Sequence, residues 1–496
     1  MKFKELKHTA YKGFSIDNAL DFSKRSSFVR EVMLERVYPT RVIIPMKQHY
    51  GDPAVPVVQV GESVTIGQCI GVPEPGTFAV PVHSSISGQV TDIKDITLPN
   101  GVSCKAVWIS SDRKRTYHTS VYPRSNIGVS ASEFMGIVKA AGIVGMGGEG
   151  IPTIAKINRA RREGVKEILV NCLQSEPYAG GDFIRIQDTA DYVIMGAVAL
   201  AGAVGVKRIK FLISDARKAE VEALQLSMQR TAGEYSGYSF DFVFFKERFP
   251  QGYYRLIAKA MYHVNLEVGE TIEEKCHAVI FNCSTVYACW EAVADNMPLI
   301  SRIITVTDEN NRSHNVWAPV GTPVSELLDT VNGISVTNNQ IIWGNCLTGL
   351  PLADPDNTPI IKTTSGITVV RKTQVREFPC IHCGSCYEAC PMELDPGYLF
   401  ALLKKGSNYQ AEDERALKCI SCGACSYICP SGLNLTSVIA SYASAKRNTN
   451  LYAYAATERI DYNSDTLMDA GTDSRVEPEK YYDNSMVLPF LGGKRV

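Results

Sequence analysis

The chain has no excess of charge of either sign. Its 496 residues carry 51 Lys and Arg against 52 Asp and Glu, a formal net charge of −1. That balance supplies no field for neutralising a phosphate backbone, which excludes nucleic acid as the main partner. A long apolar run is also missing. The longest, 192–206 (YVIMGAVALAGAVGV), is fifteen residues bracketed by Asp191 and Lys207. It is too short for a hydrocarbon layer about 30 Å thick and predicts a buried core helix. The first fifteen residues (MKFKELKHTAYKGFS) contain no apolar stretch of the signal-peptide kind. Apolar residues at 45% and charged ones at 21% exclude the disordered and fibrous classes. The expectation is a cytoplasmic chain without a transmembrane segment, long enough for about three domains.

Cysteine is plentiful and unevenly placed. Seven of the fifteen are scattered (Cys69, Cys104, Cys172, Cys276, Cys283, Cys289, Cys346), and the other eight crowd into 380–429. An odd total without a secretion signal argues against a disulfide framework. The eight read Cys380-x2-Cys383-x2-Cys386-x3-Cys390-Pro391 and then Cys419-x2-Cys422-x2-Cys425-x3-Cys429-Pro430. This doubled spacing is that of two-cluster ferredoxins, in which the fourth cysteine of each run ligates the other cluster. It predicts two [4Fe–4S] clusters, one on Cys380, Cys383, Cys386 and Cys429, the other on Cys419, Cys422, Cys425 and Cys390. Gly384 and Gly423 allow each loop to close on its cluster and aim N–H groups at sulfur. A pair of zinc sites is the rival, but zinc cysteines usually come as C-x2-C pairs set farther apart. Between the runs, 394–405 reads as an amphipathic helix ending at Gly406.

Elsewhere the text divides into modules. Residues 1–40 show no period and read as an irregular lead-in. Short apolar runs at 42–45, 55–60, 66–72, 77–80 and 88–93, separated by Gly or Pro, make 41–115 a β module. It resembles the barrel-sandwich hybrid of biotinyl and lipoyl domains. No lysine stands at the presumed hairpin tip, 83–87, so a docking or scaffold role is expected. Residues 125–305 alternate strand and helix, with Glu167–Asn171, Arg208–Ser214, 238–245 and Ala278–Asn282 as buried strands. This predicts a Rossmann-like parallel sheet that binds ligands at its carboxyl edge. Residues 302–365 fit a β-grasp unit: strands at 303–307 and 316–319, a helix at 323–331 started by Thr322, and a strand at 340–343. Cys346 there reads either as a reactive thiol or as a packed one. The cluster module spans 370–445 and closes on a helix, 435–445, capped by Asn434. The remainder, 447–496, reads as a loop-like tail whose patch at 486–490 (MVLPF) suits docking.

Two segments of the parallel domain carry chemistry. Four glycines lie between Gly145 and Gly150, with Lys156 one turn into the next helix. Such a loop either cradles a phosphate or is a tight turn; no Gly-Lys-Ser/Thr ends it, so it is not a Walker loop. The second, after the strand ending at Asn171, offers Asn171, Gln174, Glu176 and Asp182 to a heterocycle or ribose, or is an ordinary polar loop.

The order of barrel-sandwich module, GIVGMGGEGIPT loop, NCLQSEPY loop, β-grasp unit and doubled cysteine motif resembles the RnfC family, from the Rnf electron-transport complex, and its soluble relatives, over 40–445. Pro250-Gln251-Gly252 and 285–291 also match that family. The middle domain is similar to the flavoprotein subunit of respiratory NADH dehydrogenase. The resemblance implies FMN and NADH as cofactors. Gly145, Gly147, Gly148 and Gly150 would face the flavin, Lys156 would reach its phosphate, Asn171 would touch the flavin and Glu176 the nicotinamide nucleotide. It implies electron flow from NADH through FMN and both clusters to a redox partner, either a reductase or Rnf-type membrane subunits. The chain would then be cytoplasmic or peripheral at the inner face of the membrane. Three positions depart from the pattern: Glu149 replaces a small residue, Ile151 a phenylalanine and Gln174 an acid. They define an alternative, a pure iron–sulfur carrier with a degenerate nucleotide site. Tyr11-Lys12-Gly13-Phe14-Ser15 stands where Rnf subunits usually have a G-G-[IV]-H-P stretch. That favours a soluble paralogue such as the electron-transfer protein associated with D-proline reductase.

Overall fold

Four strands from the middle of the chain and one from its start form a five-stranded parallel sheet, ordered Lys4–Leu6, Ser239–Phe245, Arg208–Ser214, Glu167–Asn171 and Ala278–Asn282. The computed structural model describes residues 4–6 and 34–457, except 126, 175, 232–234, 247, 332–333, 335–336, 338 and 373–375; side chains at 4–6, 413 and 447–457 are also left undescribed. Glu167–Asn171 is buried at every residue, as a strand covered on both faces must be. Its side chains alternate between two cores. Ile168 and Val170 join the larger one, with helices Ala131–Ala140, Thr153–Arg162, Gly181–Val204 and Cys283–Asp295. Leu169 joins a smaller one, with helices Tyr254–Tyr262 and Ile272–Cys276. The apolar run at 192–206 is largely the second half of helix Gly181–Val204, buried here as expected. Among the described residues no helix is long and apolar enough to cross a membrane.

The β module at 41–115 holds two small antiparallel sheets, one of four strands and one of three, around Val42, Ile44, Ile70, Val82, Val107 and Ile109. Its longest feature, the hairpin Gly88–Thr97 and Ser103–Ser111, exceeds the expected 88–93 strand. Residues 77–80 form no strand; Val82–His83 does. The presumed hairpin tip is no exposed tip. Ser84, Ser85 and Ser87 are buried, and the Ser85 hydroxyl donates to Val320 O at 2.5 Å in the next module.

The expected β-grasp unit is a six-stranded mixed sheet. Strands Ser301–Thr307 and Ser313–Pro319 form its hairpin, helix Val324–Thr330 packs on it, and Gly366–Arg371 lies parallel to the first strand. The sheet therefore runs past residue 365. The helix is preceded by Pro323 rather than capped by Thr322, whose hydroxyl donates to Pro319 O at 2.7 Å. The lead-in is not wholly irregular: Lys4–Leu6 and Leu34–Arg36 add edge strands to two different sheets. In the cysteine-rich module the last helix is Leu435–Thr457, with Ser437 N donating to Asn434 Oδ1. It overruns the expected end at 445, so the tail is helical at its start. The patch at 486–490 lies outside the described residues.

Helices Gly181–Val204 and Cys283–Asp295 touch backbone to backbone at Gly196, where a Cβ would stand 2.2 Å from Val286 O. Gly196→Ala is therefore expected to cost about 1–3 kcal/mol through overpacking, read as a lower urea midpoint for the parallel domain.

Candidate functional site

The chain order of the parallel strands reverses between Glu167–Asn171 and its neighbours, Arg208–Ser214 on one side and Ala278–Asn282 on the other. Such a reversal opens a crevice at the carboxyl ends of the strands. A cleft of about 980 Å³ lies there, and Gly145, Gly147, Gly148, Lys156, Asn171 and Glu176 all line it. Gly150 does not. It is turned to the barrel-sandwich module, where its carbonyl accepts from Tyr50 N at 2.9 Å and a Cβ would meet Thr363 Cγ2 at 2.8 Å.

The glycine loop is strapped down on several sides. Gly145 N donates to Ile151 O at 2.8 Å across its neck. Met146 N donates to Thr285 Oγ1 at 2.9 Å, and the buried Arg302 guanidinium donates to Met146 O at 3.3 Å. Helix Thr153–Arg162 starts at Pro152 without a side-chain cap; Thr153 N donates to Ile143 O at 3.0 Å, which leaves the N–H groups of Ile154 and Ala155 for an anion. Thr153 Oγ1 is buried at the same place with no partner among the described residues. Lys156 Nζ lies 5.7 Å from the centre of the Phe281 ring. A glycine-rich loop, an uncapped helix start, an unsatisfied hydroxyl and a lysine fit a flavin phosphate, with Glu149 of the loop lining the cleft as well.

The second segment is mostly a brace. Asn171 donates to Gly252 O at 3.0 Å and accepts from Leu173 N, which occupies both ends of its amide. Gln174 donates to Ala179 O within its own loop. Asp182 is engaged by Asn282 Nδ2 at 2.7 Å and by the Ser284 hydroxyl. Glu176 is the exception. It accepts from the Thr348 hydroxyl at 2.7 Å through Oε1, while Oε2 is buried with no described partner. Burial pushes its carboxyl up to about 8, the bond from Thr348 opposing, so it is largely protonated at neutral pH and presents a donor to the cleft.

The two cysteine loops share one conformation. His382 and Gly384 have φ of 54° and 78°, Ser421 and Gly423 58° and 82°. His382 N lies 3.4 Å from Cys380 Sγ and Ser421 N 3.4 Å from Cys419 Sγ, so each loop aims an amide at sulfur. Their surroundings differ. Burial raises Cys422 far above the ordinary thiol range, and nearby Cys390, Cys419 and Cys425 add to that. Cys422 packs with Tyr178, Phe249, Tyr253 and Ile420, while Cys380 and Cys383 are exposed. No disulfide joins the cysteines. Cys346 packs into the same apolar cluster as Cys422.

Several cleft residues escaped the sequence reading: Tyr253, Tyr254 and Arg255, then Trp343 and Thr348, then Ile420 and Ser421. The local text gave one signal, the Pro250-Gln251-Gly252 segment just ahead of them. The others come together only through tertiary packing.

Comparison with known proteins defines the class first. Three family models match: RnfC Barrel sandwich hybrid domain at 20–114, Nuo51 FMN-binding domain at 138–291 and 4Fe-4S dicluster domain at 379–433. The chain is an electron-transport protein whose cofactor classes are FMN and [4Fe–4S] clusters. It is 30% identical to the RnfC subunit of the proton-translocating ferredoxin:NAD(+) oxidoreductase complex of Clostridium ljungdahlii, over 76% of this chain and 81% of that one. With the corresponding subunit of the Na(+)-translocating ferredoxin:NAD(+) oxidoreductase complex of Acetobacterium woodii the identity is 29%, over 72% and 80%. With that of the ion-translocating oxidoreductase complex of Rhodobacter capsulatus it is 27%, over 79% and 76%. The protein belongs to the RnfC family.

A carboxyl whose pKa is raised from 4.5 to about 8 makes folding costlier as pH climbs between those values, because only the unfolded chain ionises freely there. Glu176→Gln removes that cost and keeps an acceptor for Thr348. The thermal midpoint of the variant, relative to the unsubstituted flavin-free protein, is expected to rise from pH 5 to pH 8. A gap independent of pH would contradict the protonated assignment.

Proposed function

We propose that the protein takes electrons from NADH at the cleft and delivers them through FMN and two [4Fe–4S] clusters to a partner protein. One observation carries the reading: Ile420 and Ser421, which sit between Cys419 and Cys422, line the same cleft as the glycine loop. The flavin site and one cluster site thus share a wall. When bound, a flavin exchanges electrons in pairs with nicotinamides and singly with iron–sulfur centres.

The remaining work falls to the chain. The strapped glycine loop and Lys156 hold the phosphate end. Neutral Glu176 offers a hydrogen bond without repelling an anionic ligand. Tyr253, half-buried between the cleft and Cys422, shields the wall between them from water. The group of Cys390, Cys419, Cys422 and Cys425 is the inner station. The group of Cys380, Cys383, Cys386 and Cys429 is the outer one, flanked by Phe378 at 57% exposure and Ile381 at 66%. As to the acceptor, the extensive match to members of membrane complexes supports a peripheral Rnf role; a soluble D-proline reductase-type partner is the other assignment. Co-fractionation with membranes separates them.

Anaerobic titration of the reconstituted protein with NADH should bleach the flavin and bring up the cluster EPR signals. Clusters reduced by dithionite but silent to NADH would leave only the carrier reading. With Cys380 and Cys383 both changed to alanine, NADH should still reduce the inner cluster, while transfer to the partner falls at least tenfold. Undiminished transfer would reverse the order of the two stations.

A further inference from the structure

Arg255 is a buried cation with no ion-pair partner among the described residues. It belongs to helix Tyr254–Tyr262, is 6% exposed and lines the cleft, and its Nη1 has no hydrogen-bond partner among the described residues. Its Nε donates to the Tyr254 hydroxyl at 3.2 Å, a neutral acceptor. No carboxylate among the described residues pairs with it. A buried guanidinium left that way is costly unless an anion completes the site.

The flavin phosphate does not need this residue. Its end of the cleft has the glycine loop, the uncapped start of helix Thr153–Arg162 and Lys156. Arg255 is presented by a different helix, of nine residues, whose own first turn also lacks a side-chain cap. The cleft is thus lined by cations from two different helices, each starting without a side-chain cap. Tyr253, Tyr254 and Trp343 line it as well, aromatic side chains of the kind a base packs against. About 980 Å³ is at the upper end of the range for small-molecule sites.

We infer that Arg255, with the first turn of helix Tyr254–Tyr262, anchors the phosphate of a second ligand of the nucleotide class, bound beside the flavin. This rests on the reading that the cleft takes NADH, and it names the residue that would hold that ligand's phosphates. Arg255 is a binding residue, fixing the second ligand's position.

The test uses full-length protein loaded with FMN and iron, with ADP as a redox-silent probe in calorimetric titration. Arg255→Gln should weaken ADP binding about 10- to 100-fold, as losing a charge-assisted contact does. Arg255→Lys should fall between, because an ammonium keeps the charge but loses the two-pronged donor geometry. FMN and iron content should match the unsubstituted protein in both, which also certifies folding. Should Arg255→Gln not hold its cofactors, Arg255→Lys alone decides, by a loss of ADP affinity at full FMN content. Equal ADP binding by a folded variant overturns the inference, as does absence of ADP binding to the unsubstituted protein. Loss of FMN with iron retained overturns it too, because Arg255 would then belong to the flavin. If ADP binds through Arg255 while NADH bleaches nothing, the anion site stands and the NADH reading falls.

Discussion

The loop carrying Cys422 is pressed into the junction of the parallel domain and the mixed sheet, and the geometry of electron transfer follows from that contact. Cys422 and Ala424 are buried against Tyr178, Phe249, Tyr253 and Leu347. Gly423 sits at φ +82°, and a Cβ there would stand 2.4 Å from Leu347 O. Only glycine satisfies both the left-handed backbone and the close approach. Two ion pairs flank the contact, Lys259–Glu393 and Lys418–Glu267, each at 2.6 Å. Exposed pairs of this kind contribute little energy, so the apolar contact holds the modules together and the pairs set its angle.

A second junction explains the barrel-sandwich module. Lys362, fully buried, donates to Gly142 O at 2.8 Å and Pro81 O at 3.2 Å, joining the base of the glycine loop to the β module. Burial lowers its pKa to about 7. The neighbouring His49 and His83 are held near 3, chiefly by burial and then by the charge of Lys362, so neither competes with it as a cation. Gly150 packs on the same module through Tyr50. The module therefore acts as a prop for the loop. Its buried serine tip is consistent with a scaffold, and a carrier domain would need that tip free.

What was legible in the sequence is what local chemistry dictates. Eight cysteines at ferredoxin spacing define their sites within about fifty residues, and a strand such as Glu167–Asn171 declares itself by an unbroken apolar run. The second strand of the long hairpin, Ser103–Ser111, was hidden because polar Ser103 and Lys105 alternate with buried Cys104 and Ala106 before the apolar run begins. Asn171, Gln174 and Asp182 are the residue types that bind ribose, and they are equally those that brace a turn. Only their partners, Gly252 and Asn282 across the fold and Ala179 within the loop, decide between those roles. Arg255 and Tyr253 carry no mark of their own beyond the Pro250-Gln251-Gly252 segment just ahead of them. Their roles arise where helix Tyr254–Tyr262 is placed at the strand ends, a long-range event that spacing does not report.

The two cysteine loops make the same point from the other side. They are alike in spacing, in φ at both left-handed positions and in the amide aimed at the first sulfur, so nothing in the motif distinguishes them. Context does. One is enclosed by aromatic and aliphatic side chains, and the other opens to water beside Phe378 and Ile381. An iron–sulfur centre gains negative charge on reduction, which an apolar enclosure disfavours and solvent tolerates, and exposure is one of the levers on cluster potential. Burial alone would place the inner group at the lower potential and the outer at the higher. On the proposed route that gradient would run away from the cleft, and a duplicated motif would acquire a direction from where the fold puts each copy.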